Sequence, residues 1–182
     1  MKKYILAGIV ACAFITACTK DRDFPDNNNP NDIEEGDVVI NEYAVNGATF
    51  TNEFGNTDDW IELYNTTSDT VFINQNRFYV SDDETDPYKY TINKDTFITP
   101  NGFLLVFADG LDTTATQFHT NFSLSAGGEY ISLWALNSQN QAVEIDTRTF
   151  GPQPSGQSEG RSPDGSDTWT LFSNPTPGAS NQ

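Results

Sequence analysis

Two glutamates, Glu42 and Glu62, are the side chains of this sequence best suited to chemistry. Each sits in an apolar, β-branched stretch, "VVINEYAV" (38–45) and "DWIELYNTT" (59–67). A carboxyl pair on neighbouring strands is what glycoside cleavage requires: one group protonates the leaving oxygen and the other acts as base or nucleophile. A structural role competes with that reading. Each carboxylate would then accept hydrogen bonds from turn amides or pair with Arg148 or Arg161, and such arrangements also perturb carboxyl groups. The structural role is the favoured one.

A second acidic group lies in "SDDETDP" (81–87). Asp82, Glu84 and Asp86 alternate as hard oxygen donors do at the start of an EF-hand loop, which makes calcium the candidate ligand. The remainder of that loop pattern fails, since Pro87 stands where glycine is required and Asn93 where the closing glutamate would be. The competing reading is a solvated acidic hairpin loop. His119 is the only histidine, and no cysteine is at hand to complete a zinc site with it. No nucleophile-elbow pattern surrounds any serine. His119 therefore reads as a loop or strand-edge residue.

The N-terminus carries a different chemistry. Lys2 and Lys3 precede an apolar stretch over residues 4–15. That stretch falls short of the about 20 residues a spanning helix needs and has the form of a signal-peptide core. It ends in "ITAC", with Cys18 last. Ile15, Thr16, Ala17 and Cys18 resemble the lipobox of bacterial lipoproteins. The resemblance implies cleavage after residue 17 and lipidation of Cys18. Several acyl chains on one cysteine would hold where a single chain binds only marginally. Cys12, the other cysteine, falls in the discarded segment, so no disulfide framework is available.

Residues 18–36 read as a disordered tether. "DRDFPDNNNPND" has too little apolar content to offset the entropy of ordering it. As a flexible coil it would reach about 25 Å. "TKDRD" after Cys18 resembles the short charged export signals of some Gram-negative lineages, which send lipoproteins to the outer face. The expected location is the outer membrane, with surface display and a periplasm-facing position as the two alternatives. The full chain carries a net charge of −17. Loss of residues 1–17 removes two lysines and no acid, leaving 26 acids against 7 bases and a charge of −19. Such a balance opposes binding to phosphate backbones and anionic lipid surfaces, so no nucleic-acid partner is expected. It suits solubility, cations or a basic partner.

The elements that must position these residues are strands. Residues 37–182 read as one domain. In 59–67, Ile61 and Leu63 share one face while Trp60, Glu62 and Tyr64 share the other. Further strands are expected at 70–73, 77–82, 88–92, 96–98, 102–109, 128–136, 142–150 and 168–172. Asn46-Gly47, Asn101-Gly102, Asp109-Gly110, Gly127-Gly128 and Asp164-Gly165 supply turns between them. No stretch after residue 18 shows helical period with caps. Many short strands broken by frequent turns predict an all-β antiparallel sandwich. Trp60, Trp134 and Trp169 fall inside predicted strands, where aromatics normally pack. Loop tyrosines such as Tyr88 would be better platforms for a glycan.

Residues 38–179 resemble the lamin-tail domain, an immunoglobulin-like sandwich. "VVINEYAV" is similar to its first strand, with the Ile-Asn-Glu signature at Ile40, Asn41 and Glu42. "DDWIELYNTTSDTVFI" resembles its acidic–aromatic–Ile-Glu-Leu motif, with Trp60, Glu62 and Asn65 at the matching places. "FYVSDD", "ITPNGFLLVFAD" and "FSLSAGGEYISLW" follow in order. "EGRSPDGSDTWTLFSNPTPGASN" resembles the closing segment and includes Arg161. The chain departs from the pattern at "NRFYV", where Gly-Trp is usual. The resemblance implies an immunoglobulin-like antiparallel β-sandwich without catalytic activity, and it makes Asn41, Glu42, Trp60, Glu62, Asn65 and Arg161 fold-signature residues. The expected function is a lipid-anchored binding or scaffolding module of the cell envelope, with an envelope protein or glycan as partner. The alternative is an envelope polysaccharide hydrolase using Glu42 and Glu62. DNA binding by analogy with lamins meets the charge objection.

Overall fold

The computed structural model describes residues 33–45, 50–73, 77–113 and 116–181. The segment read as a signal, Cys18, most of the stretch read as tether and the Asn46-Gly47 pair lie outside the described residues. No helix occurs among them. The strands, in chain order, are β1 (Val38–Ala44), β2 (Asp59–Asn65), β3 (Val71–Ile73), β4 (Phe78–Ser81), β5 (Tyr90–Thr91), β6 (Thr96–Ile98), β7 (Phe103–Ala108), β8 (Phe118–His119), β9 (Glu129–Leu136), β10 (Ala142–Phe150), β11 (Ser158–Arg161) and β12 (Trp169–Phe172).

A six-stranded sheet runs β12-β11-β1-β2-β7-β8, a four-stranded sheet runs β10-β9-β4-β5, and β3 pairs with β6. All pairs are antiparallel except β7–β8. One core joins the sheets. Ile40, Tyr43, Ile61, Leu63 and Val106 from the six-stranded sheet pack with Phe78, Val80, Ile131, Leu133 and Ile145 from the four-stranded one. Val71, Ile73 and Ile98 close that core from the small sheet. This is an immunoglobulin-like β-sandwich, built on the alternation in "DWIELYN" that sends Ile61 and Leu63 inward.

Two strands escape a sequence reading. β8 is only two residues long, and β11 is "SEGR", with no apolar residue to alternate. β11 is held by its polar side chains instead. Ser158 bonds Glu42, Glu159 bonds Tyr43 and Arg148, and Arg161 bonds Asp146. Residues 33–36, within the stretch read as tether, also belong to the fold. Ile33 packs against the core, and the Gly36 amide donates to the Ile145 carbonyl at 3.3 Å.

A polar contact between the sheets sits at a break in register. The β1–β2 ladder shifts between Ile40 and Glu42, so Asn41 is the bulged residue. β11 pairs with β1 only from Glu42 onward, which leaves the outward backbone of Ile40 without a strand partner. Side chains replace that partner. The Ile40 N–H donates to Asp146 Oδ2 at 2.8 Å, and its carbonyl accepts from Arg161 Nε at 2.8 Å. Arg161 Nη2 reaches both Asp146 oxygens, at 3.0 and 2.9 Å, and Nη1 donates to the Ser166 carbonyl at 2.7 Å. Its guanidinium carbon lies 4.9 Å from the centre of the Trp169 ring. Asp146 belongs to β10 and Arg161 to β11, so the pair fastens one sheet to the other.

Removing one partner of a buried ion pair leaves the other charge uncompensated. Arg161→Ala is therefore expected to lower unfolding free energy by about 3–5 kcal/mol in urea titrations. Arg161→Lys keeps the charge but loses the planar fork and should fall between.

Candidate functional site

Glu42 and Glu62 do come together. They are direct cross-strand partners in β1 and β2, in a row that continues to Leu105 of β7. Strand alternation places this row on the outer face of the six-stranded sheet, away from the main core. The adjacent row is Ala44–Trp60–Phe107, a small second core covered by Phe50. A carboxyl pair on an outer face would normally meet solvent, yet both glutamates are 0% exposed.

The C-terminal tail is what covers them. Thr176 donates to Glu42 through its amide, at 3.1 and 3.3 Å to the two oxygens, and through its hydroxyl at 2.9 Å. Ser158 Oγ supplies a further short bond to Glu42. The Gly178 amide donates to Glu62 Oε2, and Asn41 Nδ2 donates to Glu62 Oε1 at 3.3 Å. All four carboxylate oxygens thus have a donor. Asn181 ends the strap: its side-chain amide donates to the Arg161 carbonyl at 2.8 Å and the Asn41 carbonyl at 3.3 Å. Asp164 binds both ends of the assembly, accepting from Asn41 Nδ2 at 2.9 Å and the Asn181 amide at 3.0 Å. Asn41 Oδ1 in turn accepts from the Gly165 amide at 3.0 Å.

The electrostatics oppose ionisation. Burial pushes the Glu62 carboxyl up to about 8, against the Gly178 and Asn41 donors and helped by the charges of Glu42 and Asp164. Burial also raises Glu42, which the Ser158 and Thr176 donors counter. Two raised carboxyls could in principle exchange protons with a substrate. Here the atoms that would do so are enclosed by Thr176, Gly178, Ser158 and Asn41 rather than facing a cleft. Hydrogen bonds from turn amides hold them, as the structural reading expects. Arg148 and Arg161 instead serve Glu159 and Asp146.

The lamin tail domain family matches residues 32–173. The chain belongs to the lamin tail domain family. A comparison with curated proteins gave no match. The family match stops at residue 173, whereas the strap that encloses the lamin-tail glutamates runs on to Asn181.

The six residues that the resemblance marks as signatures are all buried in this lamin tail domain: Asn41, Glu42, Trp60, Glu62 and Asn65 at 0% exposure and Arg161 at 6%. Asn65 closes β2 and ties the turn that follows it to the 98–99 backbone. Its Nδ2 donates to the carbonyls of Asp69, Ile98 and Thr99, and its Oδ1 accepts from the Thr67 amide at 2.9 Å. Trp60 fills the second core. Cys18 lies outside the described residues.

Asp82, Glu84 and Asp86 are not gathered into a ligand set. Among the described residues no group of three or more His, Cys, Asp or Glu is placed to hold a metal ion. Asp82 pairs with Lys89, and Asp86 Oδ1 accepts from the Tyr88 amide at 3.1 Å. The loop is organised by Asp83, whose Oδ1 accepts from the Thr85 amide and hydroxyl at 2.8 and 2.7 Å; those donors lower its pKa.

His119 is the residue the sequence describes least well. It lies on the edge strand β8 as expected, but it is fully buried. Nδ1 faces Asp109 Oδ2 at 2.6 Å, and Nε2 faces Glu53 Oε1 at 3.4 Å. The ring stacks on Phe107 with centroids 5.5 Å apart and meets Phe54 at 5.2 Å. Glu53 also accepts from the amides of Thr116 and Gln117, both at 3.0 Å. Both ring nitrogens are committed to carboxylates, so the cluster fastens one loop to another and leaves no free base. The Asp109-Gly110 turn marked one partner; nothing in the sequence marked Glu53.

Glu62 predicts a pH signature. A carboxyl raised in the folded state stabilises fully below its unfolded value, near 4.5, and that contribution is lost as pH rises through about 8. The melting temperature of Glu62→Gln relative to the parent should therefore climb between pH 5 and 8.5; a flat difference contradicts the assignment. Gly160 predicts a steric one. A Cβ there would lie 2.6 Å from Asn181 Nδ2 and 3.0 Å from the Asn41 carbonyl oxygen. Gly160→Ala is expected to cost about 1–3 kcal/mol, the scale of overpacking, and to expose the tail to limited proteolysis.

Proposed function

We propose that this lamin tail domain is a lipid-anchored, non-catalytic binding or scaffolding module of the cell envelope, held at the outer membrane and displayed at the surface. The N-terminal segment supports the anchor: a charged start, a short apolar stretch and "ITAC" ending at Cys18. The enclosure of Glu42 and Glu62 carries the non-catalytic part, because it uses the chain's best acid–base pair as mortar for the tail. The rigid sandwich then serves as a frame, and specificity falls to exposed strands and loops. The net charge of −17 supports a partner other than nucleic acid.

The anchor is tested directly by Cys18→Ala. The parent is expected in the membrane fraction, released only by detergent and labelled by a fatty-acid tracer. The variant should lose the label and leave the membrane; a variant that stays as firmly bound as the parent refutes the anchor.

A further inference from the structure

The outer face of the four-stranded sheet differs from that of its partner sheet. Cross-strand register builds one row across all four strands: Glu144 of β10, Trp134 of β9, Tyr79 of β4 and Thr91 of β5. Tyr88 stands edge-on to Tyr79, with centroids 5.0 Å apart, and is itself 49% exposed. Tyr130 lies two residues along β9 from Ser132, and its hydroxyl donates to Glu144 at 3.2 Å. The Trp134 indole N–H donates to Ser132 Oγ at 2.8 Å, which fixes the ring on the sheet. Glu144 is exposed, and Trp134 and Tyr130 are half-buried. At about 4.8 Å per strand the row is about 14 Å long.

The chain shows elsewhere what fits such a face. Trp169 carries two guanidinium groups, Arg148 at 4.2 Å and Arg161 at 4.9 Å from its ring centre. Each arginine is closed by a carboxylate, Glu159 and Asp146 respectively. Indole plus carboxylate plus guanidinium is thus a unit this fold already uses, and cation–π attraction and the charged hydrogen bond act together in it. At Trp134 the indole, two phenols and a carboxylate are present, and among the described residues no guanidinium stacks on the ring. The pKa of the Tyr130 phenol is raised, first by burial and then by the charges of Glu144 and Glu84. Among the described residues the bases are engaged inside the chain. Lys89 pairs with Asp82, Arg77 donates to the Leu136 carbonyl at 2.7 Å and Lys94 to the Gln117 carbonyl at 3.4 Å.

We propose that the Trp134–Tyr130–Glu144 face is a docking site for an arginine-bearing basic segment of an envelope partner. An arginine side chain would lie over the Trp134 indole with its guanidinium on Glu144, and Tyr88 and Tyr79 would flank the next residue. This inference rests on reading the chain as a binding module; it names the face and the chemistry of the partner. The surplus of acid over base makes charge the complementary feature, and it disfavours acidic partners.

The test uses the full chain in uncharged detergent, with the three indole N–H signals observed by ¹⁵N NMR. The probe is a synthetic peptide of alternating Arg and Gly. The Trp134 signal should move on titration while those of Trp60 and Trp169 stay, and affinity should fall several-fold from 50 to 200 mM salt. Glu144→Gln, an exposed change that leaves the core alone, should weaken binding at least threefold, and a Lys–Gly peptide should bind less tightly than the arginine one. The proposal is overturned if the Trp134 signal does not move, if Glu144→Gln binds as the parent does, or if a neutral oligosaccharide moves that signal and the peptide does not. Peptide binding that maps to the exposed Phe72–Phe97 pair instead would sink this face while leaving the binding-module reading standing. Cys18→Ala reads the anchor independently of all these outcomes.

Discussion

Three consecutive residues of β1 carry a constraint on which the rest of the structure depends. Ile40, Asn41 and Glu42 lie in a central strand at 0% exposure, and every polar group they bring must find a partner without water. The bulge at Asn41 splits that demand in two. The Ile40 backbone turns toward the other sheet and is met by Asp146 and Arg161. The Asn41 and Glu42 side chains are met by Glu62, Asp164, Ser158 and the C-terminal tail. One irregularity in one ladder thus sets where the sheets are pinned and where the tail must lie.

The arrangement explains why polar residues that look functional in the sequence are structural in the fold. A buried carboxylate is costly unless its lone pairs are occupied, and an amide-rich tail is an economical source of donors. "SNPTPGASN" contributes amides at Thr176, Gly178 and Asn181 while its prolines and glycine suit an irregular path. The tail in turn needs Gly160, because no side chain fits between it and β1. Cations are used in the same way. Arg148 and Arg161 stack on Trp169 inside the molecule, so the acidic surplus is left on the outside, where it shapes what the domain can meet.

The strand framework was legible because alternation is a local signal. "DWIELYN" and "GEYISLWAL" declare both their conformation and their inward faces, and β2 and β9 obey them. β11 was not legible, since "SEGR" gains its place through bonds to residues more than a hundred positions away, such as Ser158 to Glu42. The pairing of Glu42 with Glu62 could be suspected from adjacent strands, and their structural use from the family resemblance. Their cover could not, because it depends on how far the tail returns across the sheet. Arg161 was expected to pair with a carboxylate, but its choice of Asp146 over Glu42 or Glu62 follows from the bulge, which has no signature in sequence. The His119 cluster was missed for the same reason: Glu53 reaches it from a loop of no regular pattern.

The enclosure of Glu42 and Glu62 by the tail is the central claim, and amide hydrogen exchange measures it most directly. The amides of Thr176, Gly178 and Asn181 lie outside any strand, yet each donates to a carboxylate of the cluster. They are expected to exchange as slowly as amides of the central strands β1 and β2, orders of magnitude below the rate of a free tail. Exchange of Thr176 and Gly178 at the rate of an unstructured peptide would contradict the account, for the two glutamates would then stand open on the face of the sheet.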